Sequence, residues 1–155
     1  MRRVIGIDPG LAGGIAVMDG AHKVLEVVNM PETPMDILGF LRRYSIGSVA
    51  YIEDVGKGMP GQSSKATATF ARHNGHLEMA LLALGIPAVK VLPTKWEKIY
   101  QLGKCSKYAR TEWKNRLKAK AQELFPNLGK QVTLKTADAL LIALYGVREE
   151  FKADV

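Results

Sequence analysis

Apolar residues fall in short β-branched runs through the first part of the chain and in helical spacing through the rest. Residues 2–8, 13–18 and 23–29 form three such runs. Pro9-Gly10 and Asp19-Gly20 are turn signals between them, which predicts an antiparallel meander. Pro34 opens a helix with Ile37, Leu38, Leu41 and Tyr44 on one face, and Gly47 closes it. A fourth strand spans 48–53. The stretch 54–62 holds Gly56, Gly58, Pro60 and Gly61 and reads as a flexible loop. A helix follows over 63–84, then a fifth strand over 87–92. Helices are predicted at 93–102, 107–124 and 133–149, separated by loops at 103–106 and 125–130. The order β-β-β-α-β-α-β-α-α-α predicts an α/β fold: a five-stranded mixed sheet, three antiparallel strands then parallel ones, with helices on both faces. No linker divides the chain, so residues 1–151 are expected to form one domain, with 152–155 a frayed tail.

Charge sharpens this picture. The chain carries a net charge of +7, with a pI near 9.6. The segment 95–120 holds Lys95, Lys98, Lys104, Lys107, Arg110, Lys114, Arg116, Lys118 and Lys120 against only Glu97 and Glu112. The whole net charge therefore sits there, and a polyanionic partner is expected. Trp96, Tyr100, Tyr108 and Trp113 interleave with these cations, and aromatic faces can stack on unpaired bases. The competing reading buries them, most readily Tyr100 and Trp113. A single cysteine, Cys105, excludes an internal disulfide and fits a reducing cytoplasm. No apolar stretch approaches membrane-spanning length, and Met1-Arg2-Arg3 before a strand-like run reads as the start of a domain rather than a leader.

Three carboxylates stand where folding gains little from them. Asp8 ends the run Val4-Ile5-Gly6-Ile7, Glu53 ends Val49-Ala50-Tyr51-Ile52, and Asp138 lies on the apolar side of the last helix. Burying an unpaired carboxylate is costly, and the remedies are pairing, protonation or a metal ion. Converging acids suit a hard cation such as Mg²⁺. With the basic surface, this points to metal-dependent cutting of nucleic acid. Asp54 should face the opposite side of the strand from Glu53. Asp19 precedes a turn glycine, and Asp36 suits the first turn of a helix. His73 and His76 are spaced i, i+3, but without a third ligand they read as surface residues.

Ile5-Gly6-Ile7-Asp8-Pro9-Gly10 followed by Gly13-Gly14-Ile15-Ala16-Val17 resembles the opening of the RNase H-like superfamily, and within it the RuvC-type Holliday junction resolvases. Tyr51-Ile52-Glu53 resembles that family's fourth-strand glutamate. Thr136-Ala137-Asp138-Ala139-Leu140 resembles its C-terminal-helix signature. The resemblance spans nearly the whole chain and is nearer a short, phage-like variant than the bacterial housekeeping form. It implies a Mg²⁺-dependent endonuclease of a bacterial or phage-infected cytoplasm, leaving 5′-phosphate and 3′-hydroxyl ends, with Mn²⁺ as a substitute ion. Asp8, Glu53 and Asp138 would bind one or two ions per subunit, with Asp8 the bridging ligand. The family places a fourth acid or a histidine three residues before the helix aspartate, where this chain has Lys135. Lys135 would either stand in for a second ion or pair with Asp138 one turn away on the same helix face.

A four-way junction has two equivalent strands to cut, and a homodimer of C2 symmetry matches it. The family dimerises through the helix after the fourth strand, here carrying Ala66, Phe70, His73, Leu77, Ala80, Leu81 and Leu84. The same residues also suit burial against their own sheet. The loop 54–62 would approach the junction centre, with Met59-Pro60 as an apolar wedge. Lys57, Lys65 and Arg72 would contact phosphates beside the site, while Lys95, Lys104, Lys107, Arg110 and Lys114 would clamp the duplex arms. Three other readings compete. A relaxed debranching nuclease would use the same acids. A non-cleaving junction binder would keep the fold alone. Actin-like ATPases and sugar kinases share Asp-x-Gly followed by Gly-Gly, but need two such domains around a nucleotide, so no nucleotide cofactor is expected.

Overall fold

The computed structural model describes residues 2–56 and 61–152. Five strands, β1 (Arg3–Asp8), β2 (Gly14–Asp19), β3 (Val24–Asn29), β4 (Ser48–Glu53) and β5 (Ala88–Val91), form one sheet in the order β3-β2-β1-β4-β5. β1–β2 and β2–β3 are antiparallel, whereas β1–β4 and β4–β5 are parallel. This is the mixed sheet that the apolar runs predict. Helices α1 (Pro34–Arg43) and α2 (Ser64–Ala83) cover one face. Helices α3 (Pro93–Glu97), α4 (Arg110–Leu124) and α5 (Ala137–Glu150) cover the other. No helix among the described residues is long and apolar enough to cross a membrane.

The strand alternation of side chains sorts the chemistry by face. Ile5, Ile7, Ala50 and Ile52 pack toward α1 and α2. Val4 and Tyr51 pack toward α3, α4 and α5. Asp8 shares the parity of Val4 within β1, and Glu53 that of Tyr51 within β4. Both carboxylates therefore lie on the α5 face, at the C-terminal ends of adjacent parallel strands. Asp54, one residue on, turns away and caps the loop through its Oδ1, which accepts from the Gly56 amide at 3.1 Å.

α5 lies unusually close to the sheet because Gly6 and Gly146 carry no Cβ. A Cβ on Gly6 would stand 2.3 Å from the Ala139 carbonyl oxygen and 2.4 Å from the Ala143 nitrogen. One on Gly146 would stand 2.7 Å from both Val4 Cγ1 and Tyr51 Cδ2. Every residue of α5 from Ala137 to Val147 is buried.

The last helix starts later than its sequence predicts. Apolar spacing places the start at 133, but α5 begins at Ala137. The side chain of Thr136 accepts from the Thr133 amide at 2.9 Å and donates to the Gln131 carbonyl at 2.6 Å. Thr133 Oγ1 accepts from the Lys135 amide at 3.2 Å. These local threonine bonds give the backbone an alternative to the helix. α3 and α4 are also shorter than predicted. α3 passes into a 3-10 turn at Lys98–Tyr100, and a second turn, Cys105–Lys107, precedes α4. At the C-terminus Lys152 pairs with Glu149 at 2.8 Å, and residues 153–155 lie outside the described residues.

Candidate metal centre

Asp8, Glu53 and Asp138 meet at the C-terminal edge of the sheet, where α5 begins. Asp8 is 8% exposed and Asp138 3% exposed, while Glu53 is half-buried. Burial raises Asp8 well above the usual carboxylate range, and repulsion from Asp138 and Glu53 raises it further, against the opposing pull of Lys114. Burial and then Asp138 push Glu53 up to about 7, although the Trp96 N–H and Lys114 oppose the rise. Like charges raise Asp8 and Glu53 in this way only because the acids share a small, poorly solvated volume.

Two features relieve the strain. Lys114 Nζ donates to Asp138 Oδ2 at 2.7 Å, and Trp96 Nε1 donates to Glu53 Oε2 at 2.8 Å. Burial works to lower the Lys114 ammonium, but Asp138, then Asp8 and Glu53, outweigh it and leave it raised. The side chain of Asp8 accepts no hydrogen bond among the described residues. Glu97 from α3 borders the cluster. It accepts from Trp113 Nε1 at 3.3 Å, and burial followed by the charge of Asp138 raises it.

The donor set fits a hard divalent cation. It consists of carboxylate oxygens in negative excess, and the largely buried Asp8 side chain accepts no hydrogen bond among the described residues. Among the described residues no three acidic, histidine or cysteine groups close around one point as a finished ligand shell. The cation seated among these acids is the ammonium of Lys114.

Several expectations need correction. Lys135 does not sit one turn before Asp138 on a helix face. It lies exposed in the threonine-held turn before α5, and its side chain has no partner among the described residues. The cation in contact with Asp138 is Lys114, expected instead to clamp a duplex arm. Trp96 is buried in the core and cannot stack on bases, and Tyr100 and Trp113 are buried as the competing reading of the sequence has them. Tyr108 lies against Trp113 at 5.7 Å between ring centroids, with the Arg116 guanidinium 4.5 Å from the Tyr108 ring centroid. His73 is buried, not on the surface, while His76 is exposed. His73, Leu77, Ala80 and Leu81 of α2 are buried, three of them in the core beneath α1, so this set is not free to face a second copy. The exposed large apolar residues of α2 are Met79 and Leu82. Lys65, Arg72, Lys95, Lys104, Lys107 and Arg110 are exposed, as phosphate contacts require. Lys57 and Met59 lie outside the described residues.

Trp96 and Glu97 escape a reading of the sequence alone. Their only signal is position. β5 runs parallel to β4 with Glu53 opposite Val91, so whatever follows β5 immediately must emerge beside Glu53.

No protein-family model matches the chain, and no curated protein matches it. Solved structures do. RuvC of Thermus thermophilus in complex with a Holliday junction substrate superposes with a TM-score of 0.69 at 17% identity, covering 97% of this chain and 96% of that one. A second Thermus thermophilus RuvC structure gives 0.62 at 22% identity, with the same coverage. The fold is RNase H-like, as in RuvC. With so few identical residues, the likeness lies in the path of the chain. What this chain does must be argued from its own side chains.

Proposed function

We propose that this chain is a metal-dependent, structure-specific DNA endonuclease of the RuvC type, which resolves four-way junctions by paired phosphodiester hydrolysis. The observation that carries the reading is the meeting of Asp8, Glu53 and Asp138, contributed by three separate elements, at one strand edge. Their mutual repulsion costs stability, and a binding function explains why the fold retains it. The shared fold and the basic segment 95–120 support the choice of branched DNA as substrate.

Asp8, Glu53 and Asp138 would hold Mg²⁺, or Mn²⁺ in its place. The ion would supply Lewis-acid stabilisation of the scissile phosphate and a water acidic enough to attack it. The remaining work falls to the chain. Trp96 fixes one oxygen of Glu53. Lys114 balances the acids and stands within their reach, placed to take a phosphate oxygen when Asp138 turns to the cation. Exposed Lys95, Lys104, Lys107 and Arg110 grip phosphates without reading sequence. A homodimer presents two such sites to the two equivalent strands, and Met79 and Leu82 are the exposed large apolar residues of α2 that a second copy would cover.

Four-way, three-way and linear DNA, incubated side by side with Mg²⁺ and with Mn²⁺, test the reading. Paired nicks confined to the four-way junction, with 5′-phosphate ends, are expected. Equal cutting of three-way DNA would favour a debranching nuclease. Binding without any cutting would leave a junction-binding protein.

A further inference from the structure

Trp96 is the largest side chain among those fully buried, yet its one polar atom faces the acid cluster rather than a backbone carbonyl. An indole N–H is only a donor and has no alternative tautomer. It can therefore engage Glu53 only as a donor to one carboxylate oxygen. Glu53 ends its strand on a three-torsion side chain, and unaided it would sample many rotamers at the sheet edge. With Oε2 bonded to Trp96 Nε1 at 2.8 Å, the indole leaves Oε1 for another partner. The indole is itself immobile. Its ring is fully enclosed and meets Tyr100 edge-on at 6.4 Å. Pro93 starts α3 two residues after β5 ends, at the sheet edge where β4 delivers Glu53. α3 thus serves as a short bracket between the core and the site.

We propose that Trp96 is the positioning residue of the metal centre, holding Glu53 in the rotamer from which it binds a divalent cation. The inference rests on the endonuclease reading for its purpose, but its test does not. Partners that orient metal ligands commonly set affinity by 10–100-fold. Trp96→Phe keeps an aromatic ring in the core and deletes the N–H. Mn²⁺ titrated into the protein without DNA, followed by calorimetry, should bind about tenfold more weakly to Trp96→Phe than to the wild type. Trp113→Phe, which deletes the longer 3.3 Å bond to Glu97, should leave Mn²⁺ affinity within about twofold. In a Glu53→Gln background Trp96→Phe should have no further effect on Mn²⁺ binding, because both changes act through one carboxylate.

Unchanged Mn²⁺ affinity in a folded Trp96→Phe variant would overturn the proposal. So would equal losses in Trp96→Phe and Trp113→Phe, or a full additional loss in the Glu53→Gln background, since each would mark general core loosening. Thermal melts of every variant separate loss of fold from loss of ligand geometry. If Trp96→Phe does not fold, Trp96→His supplies a ring N–H from a smaller side chain; it should retain more Mn²⁺ affinity than Trp96→Leu, and equal affinities would overturn the proposal. Failure of the wild type to cut any branched DNA would sink the endonuclease reading and leave the Mn²⁺ result intact.

Discussion

Asp8 ends a central strand with its carboxylate buried against two other acids and no hydrogen bond among the described residues. Both Asp8 and Glu53 are raised, Glu53 to about 7, so the folded chain keeps protons that the unfolded chain has already released. Such groups cost nothing at low pH, where both states are protonated. They cost progressively more as pH rises from the ordinary carboxylate range through the folded value. With divalent cations chelated, the thermal midpoint should therefore fall as pH rises from about 5 to about 7. Saturating Mg²⁺ should flatten that decline. Asp8→Asn should also flatten it, abolish cutting and preserve junction binding; an undiminished decline would show that the acids do not crowd one another. Lys114 is predicted to compete with metal for Asp138. Lys114→Met should bind Mn²⁺ about tenfold more tightly in the absence of DNA, since a charged hydrogen bond is worth roughly 1.5 kcal/mol or more, yet should cut junctions more slowly. Weaker Mn²⁺ binding would mean that Lys114 supports the ligands rather than rivals the ion.

The distance between Asp138 and the strand-borne acids is set by α5 as a whole. The helix rests directly on β1 at Gly6, where a methyl group would overlap backbone atoms of Ala139 and Ala143. Gly6→Ala should cost about 3 kcal/mol, because neither backbone atom can move without shifting the helix. It should also slow cutting more than it weakens junction binding, since the shift carries Asp138 away from Asp8. Gly39 in α1 is the control. A Cβ there meets nothing within 4 Å, so Gly39→Ala should be neutral or stabilising by about 0.5–1 kcal/mol. Chemical denaturation of the two variants separates the cases, and equal stabilities would refute the close-contact account. Helix termini show a related effect. The apolar spacing that marks α5 runs through the Thr133–Thr136 turn, but threonine side chains decide where the helix begins. That four-residue difference moves Lys135 out of the site.

At the scale of the molecule, the surplus charge and the acids occupy neighbouring regions of one face. Phosphate contacts release counterions, so each lysine or arginine that grips DNA adds nearly one unit to the salt slope. Replacing Lys104, Lys107 and Arg110 together by Glu should weaken junction binding and reduce the slope by roughly 2–3. Lys114 is left out of that set, because without a bound cation its ammonium is engaged by Asp138. Binding isotherms at several salt concentrations give the slope directly; an unaltered value would place the DNA elsewhere. A four-way junction also asks for two copies of the site. Changing Met79 and Leu82 to Glu should convert a sedimenting dimer into a monomer that nicks singly, and a persistent dimer would move the interface off α2.

The sequence by itself determined the elements, their order and the three acids. Alternating and helical apolar spacing are local patterns, and turn residues such as Pro9-Gly10 and Gly47 mark where they break. Strand parity even assigns Asp8 and Glu53 to one face once their strands are paired. Which cation enters the cluster was decided only by tertiary structure. Lys135 lies three residues before Asp138 and Lys114 far from it in the chain, so sequence proximity favours the wrong lysine. The packing of α4 against α5 delivers Lys114, and a side-chain-capped turn removes Lys135. The fate of the aromatics follows the same rule. Trp96 sits in a basic segment that reads as surface and Trp113 in one that allows either reading, and burying their large rings gains more than exposing them. Their N–H groups then need partners, and the nearest acceptors are Glu53 and Glu97.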